Sequence, residues 1–305
     1  DRIIEDGYVY VDKTELIYNL THESSIYFLS RPRRFGKSLL VSTLKNYYLG
    51  RRELFRGLAM ERLETEWAVH PVFHVDFNGA VFSNAGQLEA MLRDYVEGWE
   101  RMYGLVPDKE LGIGIRFRHV LRAAHEQTGR RAVVLIDEYD KPILDVLDVD
   151  GSLEDRHRNV LKAFYSVFKA ADEHLQFVLL TGVTKFSQVS VFSGFNQPKD
   201  ISMDGRYEAL CGITQDEIDR YFPQPIADMA ADYRCTPGEM KQRLKQQYDG
   251  YHFSKRLTDV YNPFSLLNAL DSRSVDDYWF RSGTPTYLIR LLAHFNENIN
   301  ELTGK

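Results

Sequence analysis

Apolar positions along this chain alternate between two spacings. Compact apolar runs at 26–29, 72–77, 132–136 and 176–180 are rich in β-branched and aromatic residues and have the length of strands. The stretches between them, at 37–48, 87–102, 117–126 and 153–171, have helical spacing, as in Leu39, Leu40, Leu44 and Tyr47 of the first. The run at 132–136 shows no polar alternation, so both of its faces are to be covered. Strands separated by helices in this way predict an α/β fold, a parallel sheet flanked by helices.

The two ends read differently. Residues 8–11 form an extended segment, and Asp12 with Glu15 offers a capping box that opens a helix to about residue 20. Beyond residue 213 the pattern is of helices without matching strands, starting at a second box, Thr214 with Glu217. With no internal repeat and no Pro-rich linker, the expected organisation is a core over 1–210 and a mainly helical lid over 211–305.

Composition narrows the class. At 305 residues, 44% hydrophobic and 27% charged, the chain has material for a large core and is not a disordered one. Its 38 basic and 44 acidic side chains give a formal net charge of −6, so no general positive field draws it to nucleic acid, although a local basic site remains open. Two cysteines, Cys211 and Cys235, are too few for a disulfide framework and sit in no Cys/His cluster, so no zinc site is expected and a reducing cytoplasm is. The apolar runs fall far short of the ~20 residues of a membrane helix, and the first residues lack the regions of a secretory signal, so a soluble protein is expected.

The chemistry concentrates after the first strand. Arg31, Pro32, Arg33, Arg34, Phe35, Gly36, Lys37 and Ser38 lie between a strand and a helix, where the phosphate-loop (Walker A) pattern asks for G-x-x-x-x-G-K-[ST]; Arg31 stands where the first Gly belongs. Gly36 permits a tight turn that aims amide N–H groups and a helix N-terminus at a phosphate. Lys37 adds a point charge, Ser38 a magnesium ligand, and Leu39 continues the same turn. The three arginines add positive potential. A second piece follows the strand at 132–136: Asp137, placed to hold Mg²⁺, and Glu138, placed to polarise a water, as in a Walker B strand. A third is Thr181, Thr184 and Lys185 after the last strand; the threonines could sense a γ-phosphate, orient water or satisfy strand-end backbone.

Taken with further segments, these residues resemble the bacterial AAA-ATPase-like proteins, whose phosphate loop reads R-P-R-R-F-G-K-S and which are often fused to a C-terminal nuclease-like domain of the PD-(D/E)xK type. The likeness runs through Tyr10-Val-Asp-Lys-Thr14, the loop, Leu135-Ile-Asp-Glu-Tyr-Asp-Lys-Pro142, Thr181-Gly-Val-Thr-Lys185, Phe192-Ser-Gly-Phe-Asn196 and Asp200-Ile-Ser202. It continues in Tyr248-Asp-Gly-Tyr251, Tyr261-Asn-Pro-Phe264 and Tyr278-Trp-Phe-Arg-Ser-Gly-Thr-Pro285. The resemblance implies a P-loop ATPase with a helical lid that uses ATP and Mg²⁺, with Arg31 as the family's own form of the loop. It implies Gly283-Thr-Pro285 as a G-x-P element over the nucleotide, a tripeptide that by itself reads as a plain turn before a helix from Tyr287 to Leu292. Partners it leaves open are the nuclease-like domain, a protein effector, a second copy of the chain and nucleic acid; no membrane is among them.

The remaining candidates read as structural. Glu239 and Lys241 have E-x-K spacing without the preceding Pro-Asp of a nuclease, and the histidines suggest no metal cage. Tyr248, Tyr251, Phe253, Tyr261 and Phe264 suit packing or stacking, and Arg51, Arg52 and Arg56 suit solvated surface or arginine fingers. The resulting expectation is an Mg²⁺-dependent ATPase acting as a switch for a partner or an attached effector. The rivals are a nucleotide-dependent interaction module with little hydrolysis, a small-molecule kinase, and a DNA-stimulated ATPase.

Overall fold

Each apolar run read as a strand is one. The computed structural model describes residues 2–147, 149–185, 198–255 and 258–278. In it β1 (Ile26–Ser30), β2 (Val72–Asp76), β3 (Ala132–Asp137), β4 (Leu175–Gly182) and the short β5 (Lys199–Asp200) form one sheet of order β2-β3-β4-β1-β5. Every pairing in it is parallel. All carboxyl ends therefore open on one edge, where an open α/β sheet takes its ligand. Because β4 lies between β1 and β3, the loops after those two strands face each other across its end.

The longer helices packed on this sheet are α1 (Thr14–Glu23), α2 (Lys37–Tyr48), α3 (Gln87–Met102), α4 (Ile113–Thr128) and α5 (Gly151–Tyr165). The strand period of two sorts β3 between its faces. Val133 and Leu135 join the cluster with Ile17 and Leu20 of α1 and Leu40 and Leu44 of α2. Val134 and Ile136 join the opposite cluster with Leu92 of α3, Phe117 of α4 and Phe164 of α5. A fully buried Leu or Phe contributes about 1.5–3 kcal/mol and a net hydrogen bond about 0.5–1.5, so packing holds the sheet between its helices while the ladder fixes register.

Three local expectations are corrected. The helix expected from Asp12 starts at Thr14, because Asp12 Oδ1 accepts from both the amide (2.8 Å) and the hydroxyl (2.6 Å) of Thr14, leaving no box with Glu15. The helix expected over 153–171 breaks at Ser166, after which a single turn, Val167–Ala170, runs on toward β4. Beyond residue 213 the helices are not alone, since β6 (Ile213–Thr214) and β7 (Val260–Tyr261) pair antiparallel.

That C-terminal region contains α6 (Gln215–Tyr221), α7 (Pro223–Asp232), α8 (Pro237–Tyr248) and α9 (Pro263–Ser272), closed around a cluster of its own that includes Ile218, Met229, Leu244 and Leu266. The Thr214–Glu217 box is present, and a second, Thr236 with Glu239, starts α8. Lys241 pairs with Asp219 at 2.7 Å, so the E-x-K spacing serves a helix cap and a surface ion pair. Phe192 to Asn196, Gly283-Thr-Pro285 and the helix expected after it lie outside the described residues.

Candidate functional site

The loop from Arg31 to Ser38 joins β1 to α2, and its turn is made at Gly36. Gly36 has φ +91°, and a Cβ built there would meet nothing within 4 Å, so the space in front of the α2 N-terminus is open. Lys37 is buried and its ammonium spans the loop, donating to the carbonyls of Arg31 and Pro32 at 3.2 Å each and lying 3.1 Å from Glu138 Oε1. Ser38 and Leu39 are exposed on the first turn of α2.

The arginines divide. The Arg31 guanidinium is buried, donates to the carbonyls of Ser30 (2.9 Å), Ser202 (2.7 Å) and Tyr207 (3.3 Å), and lies 4.0 Å over the ring of Phe253. Its main chain belongs to the loop, while its side chain is a structural tie rather than a source of surface potential. Arg33 is half-buried. Arg34, at φ +64°, lies over Phe264 at 4.0 Å, and Phe35 is buried against Tyr251 and Phe253 at 4.7 and 5.4 Å. Three of the five aromatics noted in the sequence thus pack on the loop, whereas Tyr248 and Tyr261 belong to the C-terminal cluster.

Across the end of β4 stand the acids. Asp137 is buried and accepts a 2.5 Å hydrogen bond from Thr181 Oγ1. Glu138 follows at φ +55°; burial pushes its pKa up, with the Lys37 ammonium opposing. Thr184 donates to Asp140, and Lys185 pairs with Asp200 at 3.0 Å. The strand register sets Asp76, the last residue of β2, beside Asp137. Sequence alone gave no role to Asp76, for which an acid closing a strand was the signal, or to Asp140, which stands inside the segment Leu135 to Pro142.

Next to Gly36 opens a cleft of about 150 Å³ with mainly apolar walls, among them Val9, Val11, Leu39, Leu210, Ile213 and Leu267. It brings together the segment before α1, the start of α2 and the C-terminal region. Lys13 lies in its wall and reaches both oxygens of Glu217, at 2.5 and 2.6 Å. No single stretch of sequence signals this cleft, because its walls come from three distant segments.

The buried Lys37 thus lies against the acid that follows β3, across one intervening strand. The model of the family described as "Predicted AAA-ATPase" matches residues 1–192. The chain belongs to this predicted AAA-ATPase family. A relative described as "Uncharacterized protein in vnfD 5'region", from Azotobacter chroococcum mcd 1, is 41% identical over 292 residues, covering 94% of this chain and 53% of the relative. The chain therefore spans about half the length of that protein. Among solved structures, the Aeropyrum pernix ORC1 protein in complex with DNA is similar at a TM-score of 0.36 and 12% identity, over 77% of this chain and 59% of that one. At that level the likeness supports no argument.

The other polar candidates of this predicted AAA-ATPase stand apart from the cleft. Arg51, Arg52 and Arg56 are exposed beyond the C-terminal end of α2, ~18 Å of helix away from the loop. His70 and His74 are four residues apart, but His74 is in β2 and His70 meets the Arg131 carbonyl (2.9 Å), so they form no helical pair. Among the described residues no group of three or more metal-ligating side chains converges, and no helix is long and apolar enough to cross a membrane.

Proposed function

We propose that this chain binds ATP with Mg²⁺ and hydrolyses it, with residues 1–210 as the ATPase core and 211 onward as a lid that follows the nucleotide state. The observation that carries this reading is the Lys37 ammonium, buried between the loop carbonyls and Glu138. In the reading, the amides from Arg33 to Ser38 and the Lys37 ammonium take the β- and γ-phosphates, which are stronger acceptors than the carbonyls Lys37 now uses. Drawn to phosphate, Lys37 leaves Glu138 to orient a water for in-line attack.

The donors suit the metal. A Ser hydroxyl at the start of α2 and the Asp137 carboxylate are hard oxygen ligands of the kind Mg²⁺ takes together with phosphates and water. Bound there, Mg²⁺ would neutralise charge on the phosphate oxygens. Thr181 acts through Asp137, fixing the carboxylate by its hydroxyl. The apolar cleft beside Gly36 takes the nucleobase, so that both core and lid grip the ligand. Lid movement would then be read by a partner or by an attached domain, in a cytoplasmic setting that suits the free Cys211 and Cys235.

The test is nucleotide-dependent melting combined with phosphate release. ATP with Mg²⁺ should raise the melting temperature as RT ln(1 + [L]/Kd). Glu138→Gln should keep that shift while turnover falls about 10²–10³-fold. Equal loss of both counts against the role given to Glu138, and no shift at millimolar ATP counts against the whole reading.

A further inference from the structure

Glu138 is held in the left-handed region, at φ +55°, a conformation strained for a residue with a side chain. What imposes it lies across the end of β4. The Tyr139 amide donates to the Thr181 carbonyl (2.8 Å) and the Tyr139 hydroxyl to the Thr184 carbonyl (2.9 Å). Asp140 answers in the other direction: its Oδ2 accepts from the amides of Val183 (3.0 Å) and Thr184 (2.7 Å) and from Thr184 Oγ1 (2.7 Å).

The placing of Asp140 is unusual for its type. It occupies the N-cap position of the turn Lys141–Leu144, where an Asp ordinarily caps, yet its side chain makes no capping bond. The side chain is instead fully buried, with Oδ1 lacking a hydrogen-bond partner, and burial pushes its pKa up. Burying a carboxylate with one oxygen unsatisfied is costly, so the three bonds to 183–184 are its compensation.

We infer that Asp140 is a positioning residue, which by gripping Thr184 holds the turn that aims the Glu138 carboxylate. Thr184 is then its partner rather than a γ-phosphate contact. The inference rests on the reading of Glu138 as the residue that orients water, and it gives the Thr184 hydroxyl a use its sequence did not offer, a side-chain bond to Asp140.

Thr184→Val removes one bond at constant shape, and Thr184→Ser keeps it; Asp140→Ala removes all three. With ATP and Mg²⁺, T184V should lower kcat about tenfold and D140A about 100-fold, KM staying within about twofold, and T184S should restore kcat. Unchanged kcat in T184V, or kcat and nucleotide binding falling together, overturns the inference. Amide hydrogen exchange tests the grip without turnover: in T184V the Tyr139 and Lys141 amides should exchange about tenfold faster than in T184S. Equal exchange also overturns it. Should E138Q turn over ATP as fast as the wild type, the reading of Glu138 fails, while exchange still decides whether Asp140 holds the turn.

Discussion

His74 shows how one side chain beside the sheet ties stability to pH. It lies in β2 with Nε2 buried and without a hydrogen-bond partner. Burial holds its pKa below the ordinary 6.5; Lys45 pushes the same way, while Asp76 and Asp137 oppose. In the unfolded chain the ring takes a proton near 6.5, and in the folded chain only at lower pH, so the unfolded state binds more protons in the interval between. The contribution is therefore fully present above 6.5 and is lost as pH falls through the depressed folded value. Melting temperatures measured from pH 7.5 down to 5 should fall less steeply in His74→Leu than in the wild type. Parallel curves would show that His74 does not set the slope.

At the scale of elements, the close approach of β4 to the turn after β3 depends on a missing side chain. A Cβ on Gly182 would stand 2.4 Å from two ring carbons of Tyr139 and 2.7 Å from Asp140 Oδ1, on groups already fixed by hydrogen bonds. Gly182→Ala should therefore destabilise the fold by about 1–3 kcal/mol, read from urea unfolding, whereas Gly129→Ala meets no such obstruction and tests only backbone strain. Gly182 lies in β4 without a positive φ, so its cost is crowding alone, and an unchanged unfolding midpoint in Gly182→Ala would show that Tyr139 and Asp140 give way. The same pair of elements shows what the sequence made legible. β3 and β4 could be read because burial on both faces leaves runs such as Val133 to Ile136 with no polar position, and Asp137 with Glu138 could be read because they end such a run. Asp140 could not, since an Asp before Lys141-Pro142 reads as an ordinary helix cap and its bond to Thr184 spans 44 residues. The break at Ser166 was hidden for a related reason: apolar spacing continues through Val167 and Phe168, and both are buried although the helix has stopped.

Across the whole molecule, the contacts between phosphate loop and C-terminal region run through residues that a phosphate-loop pattern treats as interchangeable. Arg31 occupies the position of the pattern's first Gly, and pattern reasoning alone would have Arg31→Gly improve the loop. The structure points the other way. The guanidinium supplies donors to three carbonyls, two of them on the segment after β5, and lies over Phe253, while Phe35 packs on Tyr251 and Phe253 and accepts from the Gly212 amide at 3.2 Å. Removing it leaves buried acceptors without partners and Phe253 without its cation, a loss of about 2–4 kcal/mol. Arg31→Lys should fall between the two, because a point charge cannot span carbonyls that a planar fork reaches together. Thermal unfolding should rank wild type above R31K above R31G, and, if the loop and the C-terminal region share a nucleotide as proposed, its binding should weaken in the same order, since this side chain fastens the two together. An R31G chain that melts with the wild type and binds ATP more tightly would show that the position belongs to the phosphate after all, and that the C-terminal region is coupled to the loop by other contacts.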